Sequence, residues 1–164
     1  NCGMLVPWSA HMVKHFGAPL KRVAVSCGSE TRRGEAVVTK SGLEGGVIYA
    51  LSQNIRDALD RTPGKAAMTL DLRPDINIET LTQRFVQASQ KDSLSNTLRK
   101  AASLSPAAIA VLRENGPLPR APAVLAARIK SVPIHIAGLA GLERAISTAG
   151  GVGAASLDDT LMLK

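Results

Sequence analysis

An α+β fold, a small β-barrel or sheet with an inserted helical subdomain, is what this sequence predicts, and two changes of hydrophobic period predict it. β-branched runs dominate from Lys21 to Asp75, helical spacing takes over from Asn77 to Lys130, and strand alternation returns at Val132. A strand zone, a helical zone and a strand zone again is the pattern left by a helical insertion between two parts of one sheet. The expected organisation is a first part of the barrel with one helix over 1–76, a helical subdomain over 77–131, and returning strands over 132–164 that lead into a further domain.

Taken in order, "RVAVSCG" (Arg22 to Gly28) and "GEAVVTK" (Gly34 to Lys40) read as a hairpin whose polar turn is "SETRR". The period then changes: Val47, Ile48, Leu51, Ile55, Ala58 and Leu59 recur at helical spacing, with Gly45-Gly46 as the turn before them. "KAAMTLDL" (Lys65 to Leu72) reads as the next strand.

In the helical zone Leu81, Phe85 and Ala88 share a stripe, with Glu79 in the first turn. Leu94, Leu98 and Ala101 mark a second helix that starts at Asp92 or Ser93. "SPAAIAVLRENG" places Pro106 in the first turn and Gly116 at the stop, and "AVLAARIKS" supplies one more helix beyond the stiff "PLPRAP". These closely spaced short helices predict a compact bundle. Two of them raise the possibility of a DNA-reading helix-turn-helix, but Ala107 to Leu112 leave almost no side chain able to read base edges.

After Val132, the alternation of Val132, Ile134 and Ile136 against Pro133 and His135 is that of a strand, with His135 on its polar face. "AIST" reads as another strand, followed by a Gly-Gly turn, and the chain from Gly153 onward is expected to be poorly anchored or paired with the barrel edge.

The net charge of +7 would suit a phosphate-bearing partner, but Lys and Arg are spread along the chain in runs no longer than two. With only Trp8, Phe16, Tyr49 and Phe85 as aromatics, the composition also weighs against a stacking platform for single-stranded nucleic acid. Cys2 and Cys27 are too few for a zinc site or disulfide framework, and a reducing, cytoplasmic setting is the expectation. No stretch approaches the roughly 20 apolar residues of a membrane helix. Asn1 in place of an initiator Met leads to the expectation that further residues precede it.

No catalytic constellation emerges, and none is assigned. His11 and His15 have a two-His metal spacing, but Met12 stands where a zinc protease has its Glu, and no third ligand is near, so no metal is expected. Ser9, Ser26 and Cys27 lack the glycines of a nucleophile elbow. "SGLEGG" and "TAGGVG" match neither the dinucleotide fingerprint nor the P-loop, so each is either a tight turn or a backbone surface pressed against a flat ligand.

Several segments together resemble a known family. "NCGMLVPWSAHM", "GAPLKRVAVS", "RRGEAVVTKSGLEGGVIYALS", "DSLSNTLRKA" and "ERAISTAGGVGAASLDDTLMLK" are similar, in this order, to the middle of the bacterial BaiN-like flavoproteins, which are NAD(P)/FAD-dependent oxidoreductases. The resemblance implies a barrel with a helical subdomain inserted into a FAD-binding Rossmann-like domain whose glycine-rich motif precedes Asn1. It implies that Thr148, Gly150, Gly151 and Val152, with Ala149, approach the flavin in the intact protein, and that Glu44, Gly45, Gly46 and Tyr49 face the substrate cleft. Met162 and Leu163 replace the family's Glu-Ser pair. The implied function is an insertion or cap domain forming one wall of the cleft over the flavin, not catalytic alone and without FAD when isolated. Its partner would be the flavin-binding domain of the same chain. The alternative is a basic helical module that binds nucleic acid or an acidic protein.

Overall fold

The structure is a computed structural model and describes residues 1–62, 66–89, 91–148 and 151–164. Seven strands, β1 (Met4–Leu5), β2 (Pro19–Cys27), β3 (Glu30–Val38), β4 (Gly42–Glu44), β5 (Ala67–Asp71), β6 (Val132–His135) and β7 (Gly138–Leu139), form one sheet. Its order is β6-β5-β2-β3-β4-β1-β7, and every pairing is antiparallel.

The two ends of that order are one stretch of chain, because only Ile136 and Ala137 separate β6 from β7. Ile136 N–H donates to the Ala66 carbonyl and Ala137 N–H to the Leu5 carbonyl, each at 2.9 Å, and Ala140 N–H reaches Gly3 at 2.9 Å. The first half of the stretch therefore pairs with β5 and the second half with β1, which closes the sheet into a barrel. The α+β barrel with a helical part is the fold the periodicity predicts.

Val132, Ile134 and Ile136 are buried while Pro133 and His135 are exposed, as the alternation requires. They join Val23, Val25 and Cys27 from β2 and Met68, Leu70 and Leu72 in and after β5 in one apolar core. The expected helix after Gly45-Gly46 is two pieces, α1 (Gly46–Tyr49) and α2 (Ser52–Arg61), which contribute Ile48, Leu51 and Ile55 to that core. At the break the buried Ser52 hydroxyl donates to the Tyr49 carbonyl at 2.8 Å.

The hairpin turn is tighter than "SETRR". Glu30 to Arg33 belong to β3, paired with Cys27 back to Ala24, so the turn is Gly28-Ser29. This end of the hairpin carries polar residues on β3 because that half of the strand is largely exposed.

Between β5 and β6 lie α3 (Ile78–Val86), α4 (Leu94–Ala101), α5 (Pro106–Arg113) and α6 (Pro122–Lys130). Asn77, Ser93 and Ser105 each cap a helix by accepting a backbone N–H at 2.8, 3.3 and 3.2 Å, leaving fewer orphan donors in the first turn. Ala88 falls outside α3, whose buried residues are Leu81 and Phe85. Residues 107 to 112 of α5 are all buried, so this helix is a core element and presents no reading face. Lys130, at the end of α6, pairs with Asp71 at 2.7 Å and donates to the Arg73 and Ile76 carbonyls, tying the helices to the end of β5.

"AIST" is not a strand. A 3-10 turn spans Leu142–Arg144, after which Ile146 N–H donates to the Asn1 carbonyl at 2.9 Å and the Asn1 amine to the Ser147 carbonyl at 2.5 Å. The physical reason is closure: residues 132–140 have already consumed both sheet edges. From Gly153 the described hydrogen bonds stay within the segment, with a single bridge between Leu157 and Leu163, so pairing with a barrel edge does not occur.

Candidate functional site

The corner where β4 turns into α1 holds Glu44, Gly45, Gly46 and Tyr49. Two glycines there have causes inside the barrel. Gly42 has φ +155°, and a Cβ on it would collide with the Met4 carbonyl oxygen of the neighbouring strand. Gly45 has φ +111°, and its Cβ would stand 2.9 Å from the Glu35 carbonyl oxygen. Gly46 is different: it is exposed, and nothing lies within 4 Å of a Cβ built on it. Tyr49 is half-buried.

Glu44 is half-buried and pairs with Arg144 Nη2 at 3.0 Å. Sequence reasoning did not single out Arg144, which lies 100 residues away, yet it ties the β4–α1 corner to the segment leaving the barrel. The structure thus brings the candidate cleft residues together with the region just before the second candidate group.

In that second group Thr148, Gly151 and Val152 are exposed, and a Cβ on Gly151 would meet nothing within 4 Å. Gly150 and Ala149 lie outside the described residues. The described members form no cradle. FAD binding needs backbone donors converging on its pyrophosphate, and these residues offer an open surface. They do not fit the cofactor by themselves.

His11 and His15 lie in a 3-10 turn, Ala10–His15, whose three residues per turn put positions i and i+4 off a common face. His11 Nε2 instead meets Glu114 at 3.1 Å, while Ser9 donates its N–H and hydroxyl to the same carboxylate at 2.9 and 2.8 Å. Glu114 so fastens this turn to the end of α5. Among the described residues no three His, Cys, Asp or Glu side chains stand together as a metal site. Burial raises the pKa of the Cys27 thiol, with Asp57 adding to the rise against Arg61, which suits a packing role.

Two cavities stand apart from this corner. One of about 420 Å³ lies between β2 and the start of α5, and one of about 520 Å³ lies along α5 beside His11 and Lys14. No helix among the described residues is long and apolar enough to cross a membrane.

A closed barrel carrying a helical part between β5 and β6 fits the description of a family model, the HI0933-like protein barrel and H2TH domain, that matches residues 1–147. The chain belongs to this family. Membership accounts for the barrel and the helical part. A search of the curated proteins finds no match.

Proposed function

We propose that this HI0933-like domain is the insertion domain of a BaiN-like FAD-dependent oxidoreductase, forming one wall of the substrate cleft over a flavin held elsewhere in the same protein. The observation that carries this reading is the pairing of Asn1 with Ile146 and Ser147. Asn1 and the Ile146–Ser147 segment meet at one point, an arrangement that suits a domain carried within a longer chain. The Glu44–Arg144 pair sets the β4–α1 corner beside that point, so Gly46 and Tyr49 lie on the side turned toward the second domain.

Thr148, Gly150, Gly151 and Val152 then form the border of the flavin site, and the pyrophosphate-binding turn belongs to the partner domain. The flavin supplies the redox chemistry when bound, and this domain orients substrate and excludes water. The setting we assign is cytoplasmic, in keeping with two unpaired cysteines.

Two measurements test this. The 164-residue chain should purify colourless, and a preparation carrying stoichiometric flavin would refute it. In the longer protein Gly46→Phe, placed in open space that the fold tolerates, should raise KM severalfold with the flavin spectrum unchanged. Unaltered kinetics would remove the cleft from this face.

A further inference from the structure

The 420 Å³ cavity between β2 and α5 has a charge pattern that neither the fold nor the flavin reading explains. It begins with a bulge. Leu20 pairs with Ala36 and Val23 with Gly34, so Lys21 and Arg22 together oppose the single residue Glu35. The extra residue breaks the in-out alternation, and two consecutive cations face outward between the buried Leu20 and Val23. Arg22 adopts φ +53° to make the bulge, an uncommon conformation for a side chain of its size.

Arg73 completes the rim from the end of β5. Its Nε and Nη1 donate to the Ala102 and Leu72 carbonyls, which holds the guanidinium in place beside the cavity. Burial first and then the Arg22 charge lower the Arg73 pKa, while Asp75 and Asp71 act against the fall, so the two guanidinium groups stand close enough to repel one another. Lys21 and Arg22 enter none of the ion pairs among the described residues, and no Asp or Glu lines the cavity.

Arg73 also fixes the loop at Ser103, which has φ +51° and lines the same space. Like charges gathered at the rim of one cavity are a cost to folding that a bound anion would offset. Below the rim the walls are apolar, from Leu20, Val23, Leu72 and Ala107. Burial, then Lys14 and His11, push the His15 pKa down, so this residue adds a hydrogen-bonding edge at neutral pH and no charge. The volume is within the range of small-molecule sites.

We propose that this cavity binds a small organic phosphate ester, the phosphate held by Lys21, Arg22 and Arg73 and the organic body seated on Leu20, Val23 and Ala107. Ala107 is the second residue of α5, so its N–H has no acceptor within the helix and is free to add a backbone donor. The site is independent of the flavin reading, since no residue of the β4–α1 corner or of the exit segment takes part.

The test is calorimetric titration of the 164-residue chain with hexyl phosphate, AMP, inorganic phosphate and hexanol. One site for hexyl phosphate or AMP, at least tenfold tighter than inorganic phosphate or hexanol, is expected, and the stronger of the two esters identifies the organic body. Arg22→Gly is the decisive variant, because glycine accepts the positive φ and removes only the cation. It should melt no lower than the parent and lose at least tenfold in affinity, and Lys21→Gln should lose severalfold. Binding of neither ester, equal binding of hexanol, or full affinity in a folded Arg22→Gly variant would overturn the proposal. So would salt-sensitive binding of duplex DNA by a chain that ignores both esters.

Discussion

At Gly42 and Gly45 the barrel leaves no room for a side chain, whereas at Gly151 and Gly153 the nearest atom to a built Cβ is 3.9 Å away or absent. Both regions look alike as sequence, with short glycine groups beside small and apolar residues. In the first, strands β1 and β3 press backbone against backbone and glycine is obligatory. In the second, nothing within the described chain asks for glycine at all. The difference teaches that a glycine motif has meaning only against a neighbour, and that the neighbour of the exit segment is the thing to seek.

Substitutions can break or sharpen that contrast. Gly42→Ala should cost on the order of 4 kcal/mol, combining the collision with Met4 and the unfavourable φ, as read by urea denaturation. Ile136→Ala, at a fully buried position in the closing strand, should cost about 3 kcal/mol in the same assay. Glu44→Gln removes a pair whose arginine is 57% exposed, so the loss should stay below about 1 kcal/mol and shrink with added salt. Gly151→Ala should change stability by no more than about 0.5 kcal/mol. A Gly151→Ala loss comparable to that of Gly42→Ala would abolish the distinction.

Much of the fold was legible because its signals are local. Ser93, Ser105 and Asn77 announce helix starts through their own side chains, and the alternation from Val132 to Ile136 needs only neighbouring residues. Closure was not legible, since the bonds from Ala137 and Ala140 reach Leu5 and Gly3 across nearly the whole chain. "SETRR" was misread because a strand exposed to water takes the polar composition of a turn. The bulge left one faint sign, the spacing of three between buried Leu20 and Val23 where a regular strand has two. Of the candidate corner, the run from Glu44 to Tyr49 was visible as a motif, but Arg144 is linked to it only by folding. The cations at the cavity were counted in the sequence and could not be grouped, because the bulge and the end of β5 meet only in three dimensions.

The strand that closes the barrel is also nearly the last part of the domain to be made. Until residues 132–140 leave the ribosome, β5 and β1 each keep an unpaired edge, and the four helices fold against an unfinished wall. Long-range pairing of this kind is slow, and open edges recruit other chains. Synthesis of this domain therefore passes through a stage exposed to aggregation that ends only when the stretch from Val132 to Ala140 snaps into place, so a stall just before Val132 would be the most hazardous point in its translation.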